Sequence, residues 1–261
     1  MCGDSTERAD VEALMGDDFA DLVVTDPPYN VDYVGETEDA LTMENDSMSS
    51  AQFSEFLTRA FENMAGNLKD GGVFYVWYAS WNHRIFEDAL NAVGLEVREQ
   101  LIWEKNTFVL GRQDYQWRHE PCLYGWKEGA SHYFVDDRTQ STVLPYKGKA
   151  FEDMNREELL QAIERVYEES TSTIIKEPKP LFSRLHPTMK PLKLIGRQVQ
   201  NSSKEGEIVF DPFGGSGTTL MVCEELNREC RMMEYDPQYV DVIIDRWEEY
   251  TGQKAEKVKE I

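Results

Sequence analysis

The chain has 261 residues, 41% of them hydrophobic and 11% aromatic, enough apolar material for one large core with or without an insertion. Its 49 acidic and 27 basic side chains leave a net charge of -22, which excludes a uniformly basic nucleic-acid binder and confines any phosphate contact to a local patch. No apolar run approaches the roughly 20 residues that span a bilayer, and MCGDSTERAD lacks the regions of a signal peptide, so no membrane partner and a cytoplasmic location are expected.

A strand is predicted over 21–25, followed by a polar stretch to Met48. A helix then runs from about Ala51 to Leu68, with Ser49 or Ser50 as cap and Phe53, Phe56, Leu57, Ala60, Phe61 and Met64 on one face. Asp70-Gly71-Gly72 reads as its closing turn, and VFYVWY, Val73 to Tyr78, as a buried strand. A helix ending at Gly94 follows, then strands near Val97–Trp103 and Pro121–Trp126. Between 130 and 185 the rhythm breaks into an insertion with one polar helix, 151–170, and a basic segment. It resumes with a helix from Leu192, a strand at Ile208–Phe210, a glycine-rich turn, a helix from Thr218 and a strand at Arg231–Met233. The last helix has Asp236 as cap and Pro237 in its first turn. Strands alternating with helices imply an α/β fold, a parallel or mixed sheet covered on both faces.

Charge is unevenly spread. Residues 1–70 carry 17 acidic and 3 basic side chains, whereas 171–204 carry 7 basic and 1 acidic, among them Lys176, Lys179, Arg184, Lys190, Lys193 and Arg197. The four cysteines, Cys2, Cys122, Cys223 and Cys230, form no CxxC pair and have no histidine at metal-ligand spacing, so reduced thiols and no metal site are expected.

Two stretches carry chemistry. TDPPYN, 25–30, ends the first strand on two prolines, neither of which can donate to a ladder. Asp26, Pro27, Pro28 and Tyr29 therefore make a rigid corner, either a plain turn or a fixed set of acceptors beside an aromatic face. FDPFGGSGTT, 210–219, joins a strand to a helix. It lacks the lysine of a phosphate-binding P-loop, and Leu220 stands where a dinucleotide fingerprint has its third glycine. Asp211 beside the amides of Phe213, Gly214, Gly215, Ser216, Gly217 and Thr218 suits a ligand bearing both an ammonium and a carboxylate. Glu234, ending the next strand, is placed for a ribose hydroxyl pair. Ribose plus amino acid describes S-adenosylmethionine. A glycine turn needed only for packing is the alternative.

Together these motifs resemble the amino-group DNA methyltransferases, N6-adenine and N4-cytosine, of the subgroup called beta, in which the catalytic motif precedes the cofactor motif. DPPY matches the catalytic motif, DPFGGSGTT the cofactor motif, HPTMKP at 186–191 the segment preceding it, and MEYDPQYVDVIIDRW from Met233 the ribose-binding strand and helix. The resemblance implies a Rossmann-like S-adenosylmethionine-dependent sheet, with 1–129 as the catalytic half, 130–185 as target-recognition insertion and 186–261 as the cofactor-binding half. It also implies that Asp4 contacts the cofactor's adenine and Lys190 its carboxylate, with His186 structural. Family members usually lead into a Gly-Asp by a strand. Here Gly3-Asp4 leaves only Met1-Cys2, which points to a very short strand or a domain cut from a longer chain, such as one with a ParB-like N-terminal domain.

The expected partner is double-stranded DNA. Its contacts are expected from Arg112, Tyr115, Trp117 and Arg118 in the loop 105–120 and from Lys176, Lys179 and Arg184 in the insertion. The resemblance further admits a homodimer and a cognate restriction enzyme. Family cytosine enzymes mostly begin the catalytic motif with Ser, so Asp26 favours adenine, with N4-cytosine second. RNA or protein-glutamine methylation, an inactive DNA-binding methyltransferase fold, and an acidic DNA mimic stand as further alternatives.

Overall fold

The computed structural model describes residues 1–31, 48–105, 114–138, 140–144 and 190–258. The chain runs α1 (Arg8–Met15), β1 (Ala20–Thr25), α2 (Ser50–Gly66), β2 (Leu68–Trp77), a 3-10 turn (Ser80–Asn82), α3 (His83–Ala92), β3 (Val97–Glu104), β4 (His119–Trp126) and β5 (Val143–Leu144). It continues through α4 (Leu192–Ser202), β6 (Ile208–Asp211), α5 (Thr218–Glu225), β7 (Glu229–Met232) and α6 (Pro237–Thr251). The strands form one sheet in the order β5-β3-β4-β2-β1-β6-β7. β1 lies parallel to β2 and β6, and β6 to β7, while β4 is antiparallel to β2 and β3. The carboxyl ends of β1, β2, β3, β6 and β7 thus share one edge, where ligands bind in open α/β sheets. Because β4 runs the other way, its first residues arrive at that same edge, with Glu120 opposite Trp103.

Both faces of the sheet are covered, as the periodicity predicts. On one, Val11, Phe53, Leu57, Phe61 and Phe86 of α1, α2 and α3 pack on Val23, Phe74 and Val76. On the other, Leu194, Ile195 and Val199 of α4 and Val222 of α5 pack on Leu22, Val24, Trp77 and Trp103. α2 begins with a capping box in which the Ser49 hydroxyl accepts from Gln52 N and the Gln52 side chain accepts from Ser49 N. Asp236 caps α6 by accepting from Gln238 N at 2.8 Å.

Three elements differ from the sequence reading, the first being β5, a sheet strand inside the expected insertion. Asp70-Gly71-Gly72 lies inside β2 and closes no helix; α2 stops at Asn67. Gly71 N donates to Lys127 O, its φ is 78°, and a Cβ there would stand 2.7 Å from Ser131 O, so both conformation and backbone proximity select that glycine. α1 is an element the periodicity does not announce, since only Val11 and Met15 are buried over its 8 residues. The N-terminus joins the sheet edge: Cys2 bridges Glu234, Gly3 N donates to Glu234 O and Glu234 N to Met1 O, each at 3.0 Å. All four cysteines are free thiols. The expected helix at 151–170 and most of the insertion lie outside the described residues.

Candidate active site

β1 delivers the Asp26-Pro27-Pro28-Tyr29 corner to the carboxyl edge, and β6 delivers Asp211 beside it. Thr25 Oγ1 donates to Asp211 Oδ1 at 2.9 Å, tying the two strand ends together. Asp211 also accepts from Thr219 Oγ1 at 2.6 Å and from Phe213 N at 3.1 Å. Burial raises its carboxyl to about 7 despite these donors. A carboxylate so placed is stabilised by an arriving cation.

The glycine turn wraps around Met233 and Glu234. Gly214 N donates to Met233 O at 2.7 Å and Gly215 N to Glu234 Oε2 at 2.8 Å. A Cβ on Gly214 would stand 2.8 Å from Met232 Cγ, so the missing side chain is what lets the turn pack this closely. Glu234 Oε1 accepts from Asp236 N at 3.0 Å, and burial raises its carboxyl. One cleft is lined by Asp4, Asp26, Lys190, Asp211, Phe213, Gly214, Gly215, Ser216, Thr218 and Glu234. Gly217 stands behind that wall as the left-handed cap of α5, with φ 79°. Phe213 and Phe56, ring centroids 5.9 Å apart, give the cleft an apolar side. Carboxylates at two strand ends, an amide-lined turn between them and an aromatic wall fit the donor set of an amino-acid nucleoside. Asp4 sits at the cleft with Oδ1 accepting from Thr6 N and Thr6 Oγ1, both at 2.8 Å.

Next to this cleft lies a buried charged knot. Tyr29 Oη donates to Asp26 Oδ1 at 2.5 Å and stands 3.1 Å from Glu120 Oε1. Lys190 Nζ donates to Asp26 Oδ2 at 2.5 Å, lies 3.1 Å from Tyr29 Oη and 3.5 Å from Glu120 Oε1. Lys105 Nζ pairs with Glu120 Oε2 at 3.1 Å. Burial raises the Asp26 carboxyl, with the Lys190 ammonium pulling the other way and Glu120 adding to the rise. For Glu120 burial also pushes upward, but Lys190 and Lys105 outweigh it and hold the carboxyl at about 2. Burial alone would lower the Lys190 ammonium; Asp26 and Glu120 instead raise it, so it stays charged.

A second cavity of about 750 Å3 opens on the far side of Tyr29, walled by Tyr78, Trp81, Lys105, Trp117 and Glu120 among others. Tyr29 lines both cavities. Its carbonyl accepts from Asn82 Nδ2 at 2.6 Å, and its ring meets the edge of Phe86 at 6.5 Å, so the corner is braced from the 3-10 turn and from α3.

The structure thus gathers Asp4, Asp26 to Tyr29, Lys190, Asp211 and Glu234, which are far apart in sequence. Lys190 Nζ is directed at Asp26, while its backbone carbonyl accepts from Thr218 Oγ1 at 3.2 Å. Tyr115 is 91% and Trp117 46% exposed. The Arg118 guanidinium pairs with Glu104 and donates to Lys105 O at 3.3 Å. Arg112, Lys176, Lys179, Arg184 and His186 lie outside the described residues. Glu120 and Lys105 are the members that sequence reasoning missed. Their one sequence signal is a charged residue at each end of the loop 105–120, where it joins two strands.

The family profile described as DNA methylase, covering N6 and N4 amino-group enzymes, matches residues 20–245. The type II methyltransferase M.HpaI of Haemophilus parainfluenzae is 31% identical over 240 residues, 89% of this chain and 69% of that protein. The crystal structure of the M1.HpyAVI-SAM complex superposes with a TM-score of 0.62 at 21% identity, covering 94% of this chain and 97% of that one. PvuII DNA methyltransferase, described as cytosine-N4-specific, gives a TM-score of 0.62 at 18% identity, over 94% of this chain and 84% of that one. At these identities the superpositions speak to the fold, the Rossmann-like sheet expected from the sequence.

Proposed function

This chain belongs to the N6/N4 DNA methylase family, and on that premise we propose that it transfers a methyl group from S-adenosylmethionine to the N6 amino group of adenine in double-stranded DNA. The observation that carries this reading is the shared position of Tyr29, one wall of the cofactor-shaped cleft and one wall of the cavity beyond it. A base entering from the second cavity would pass Tyr29 to reach the Asp26-Pro27 corner, which lines the cleft that would hold the methyl donor.

S-adenosylmethionine supplies a methyl group activated on a sulfonium sulfur. Asp211, the Gly214–Thr218 turn and Glu234 are the residues that would hold it, through its ammonium, its carboxylate and its ribose respectively, with Asp4 toward the adenine. The exocyclic nitrogen of adenine is a poor nucleophile because its lone pair is delocalised into the ring. Asp26 and the Pro27 carbonyl each accept one of its N–H bonds, which turns the lone pair out of the ring plane. Proline suits this task because it fixes a carbonyl without adding a competing N–H. The target must leave the duplex, at a cost of a few kcal/mol that stacking on Tyr29 offsets. The raised Asp26 carboxyl is suited to take the proton that the nitrogen sheds.

Asp26 at the head of the motif supports adenine over cytosine. N4-cytosine is the second reading, favoured by the likeness to a cytosine-N4-specific structure. To test both, the protein is incubated with S-adenosylmethionine and mixed-sequence duplex DNA, and the DNA is digested to nucleosides for mass spectrometry. N6-methyladenine is the expected product; N4-methylcytosine would transfer the mechanism to the second base.

A further inference from the structure

Trp81 is 81% exposed, on a short turn between a buried strand and a helix. A single exposed apolar side chain is ordinary on a protein surface; this one is set apart by its mount and by the cavity it borders. The turn that presents it is braced on several sides. Asn82 Nδ2 donates to Tyr29 O at 2.6 Å, Asn82 N to Ala79 O at 2.9 Å, and Ser80 Oγ lies 3.4 Å from His119 Nε2. Tyr78, just before the turn, is fully buried. The indole is therefore carried on a turn that the Asn82 side chain bonds to the backbone of the catalytic corner. It stands on the wall of the second cavity, the one that shares Tyr29 with the cofactor cleft.

On the reading that this second cavity receives an extruded base, we propose that Trp81 is a DNA-contacting residue that fills the space the base vacates, stacking between its former neighbours. The chemistry favours that role. A flipped base leaves two base faces unstacked, and an aromatic ring restores those contacts without regard to sequence. A braced turn suits a wedge, because little backbone freedom is lost on insertion. Tyr29, partly buried against Phe86, faces the base; Trp81, on the same cavity's wall, is 81% exposed and so offers its ring to the duplex. Trp117 is a weaker candidate for the same place, since its ring already packs edge-on against His119 at 5.3 Å.

The test separates a wedge from a structural residue and from a base-binding one. Methylation by wild type, Trp81→Ala and Trp81→Phe is measured on a duplex carrying a site mapped from the product analysis. The same site is measured opposite an abasic partner and in single-stranded form. Trp81→Ala is expected to lose about tenfold to a hundredfold in kcat/KM on the matched duplex and to approach wild type on the two unpaired substrates. Trp81→Phe should retain most of the duplex activity, and the affinity for S-adenosylmethionine should be unchanged in all three proteins. An equal loss on all three DNAs, or no loss on the duplex, overturns the proposal. If the wild type methylates none of these DNAs while binding S-adenosylmethionine, the reading of the second cavity as a base pocket falls, and this inference with it.

Discussion

Lys190 Nζ lies 2.5 Å from Asp26 Oδ2, so a residue near the cofactor motif ties up the carboxylate of the catalytic motif. The ammonium is buried between two acids and is the main force opposing the burial-driven rise of the Asp26 carboxyl. Replacing it with an apolar chain of similar length removes that force. If turnover needs Asp26 ionised, Lys190→Met moves the acid limb of the pH–rate profile to higher pH and lowers the neutral-pH rate by at least about tenfold. The profile is measured with saturating S-adenosylmethionine, and cofactor affinity is titrated separately. An unmoved limb with weakened cofactor binding would assign Lys190 to the cofactor carboxylate, as the family resemblance implies.

Glu120 acts on Asp26 with the opposite sign. Its charge helps raise the Asp26 carboxyl, so Glu120→Gln shifts the acid limb to lower pH, against the direction of Lys190→Met. The same substitution changes stability in a defined window. Glu120 is depressed from 4.5 to about 2 in the fold because Lys190 and Lys105 overcome its burial. An acid with a depressed folded pKa stabilises above its unfolded value and loses that contribution as pH falls through the folded one. Glu120→Gln is therefore expected to cost about 3 kcal/mol at neutral pH. The difference from wild type should shrink as pH drops from 4.5 toward 2, read by urea melts across that range.

The order of elements and the two motifs were legible because each left a local trace. β1 runs into Asp26-Pro27-Pro28 and β6 into Pro212 and a glycine turn, and α2 and α6 begin at Ser49 and Asp236 with their caps in place. The charged knot was not legible. Asp26, Glu120 and Lys190 come from three distant segments, and nothing in the sequence near Glu120 says that an antiparallel β4 brings its first residues back to the edge where β1 ends. Gly71 is ambiguous for a related reason: a left-handed glycine inside a strand, with φ 78° and Ser131 O close by, looks in sequence like one in a turn. Trp81 is hidden in the opposite way, since an apolar residue after a buried strand reads as core, while the structure leaves it 81% exposed.

Asp211 sets a pH dependence on cofactor binding. Burial raises its carboxyl from 3.8 to about 7, with Thr219, Thr25 and Phe213 N pulling it down only in part. An acid whose folded pKa is raised binds its proton more tightly in the fold, so its burial costs stability increasingly as pH climbs from about 4 to about 7 and levels off above. Asp211→Asn should remove that slope and leave the protein free of cofactor more stable than wild type at pH 8. An ammonium bound beside Asp211 favours the ionised form, so S-adenosylmethionine should bind more tightly as pH rises toward 7 and release a proton when it binds below that value. Calorimetry in two buffers of different ionisation enthalpy measures the proton directly. Asp211→Asn should bind at least about tenfold more weakly at pH 8, with no proton released.

Gly217 and Gly66 make a paired test of the turn. Gly217 has φ 79°, and a Cβ there would stand 3.0 Å from Ile243 Cγ2. Alanine at that position carries the left-handed penalty of about 1–2 kcal/mol and presses α6 away from the turn that starts α5. Gly66 closes α2 without a positive φ, and a Cβ there meets nothing within 4 Å. Alanine at 66 should be neutral or stabilise by up to about 1 kcal/mol, because it restricts the unfolded chain without strain. Melting temperatures should therefore move in opposite directions, by about 2–4 °C per kcal/mol. Only Gly217→Ala should also weaken cofactor binding, because the amides of Gly215 and Ser216 shift with it. A Gly217→Ala protein as stable and as tight-binding as wild type would show that the turn relaxes around a side chain, and that its glycine serves neither the strand-to-helix connection nor the cleft.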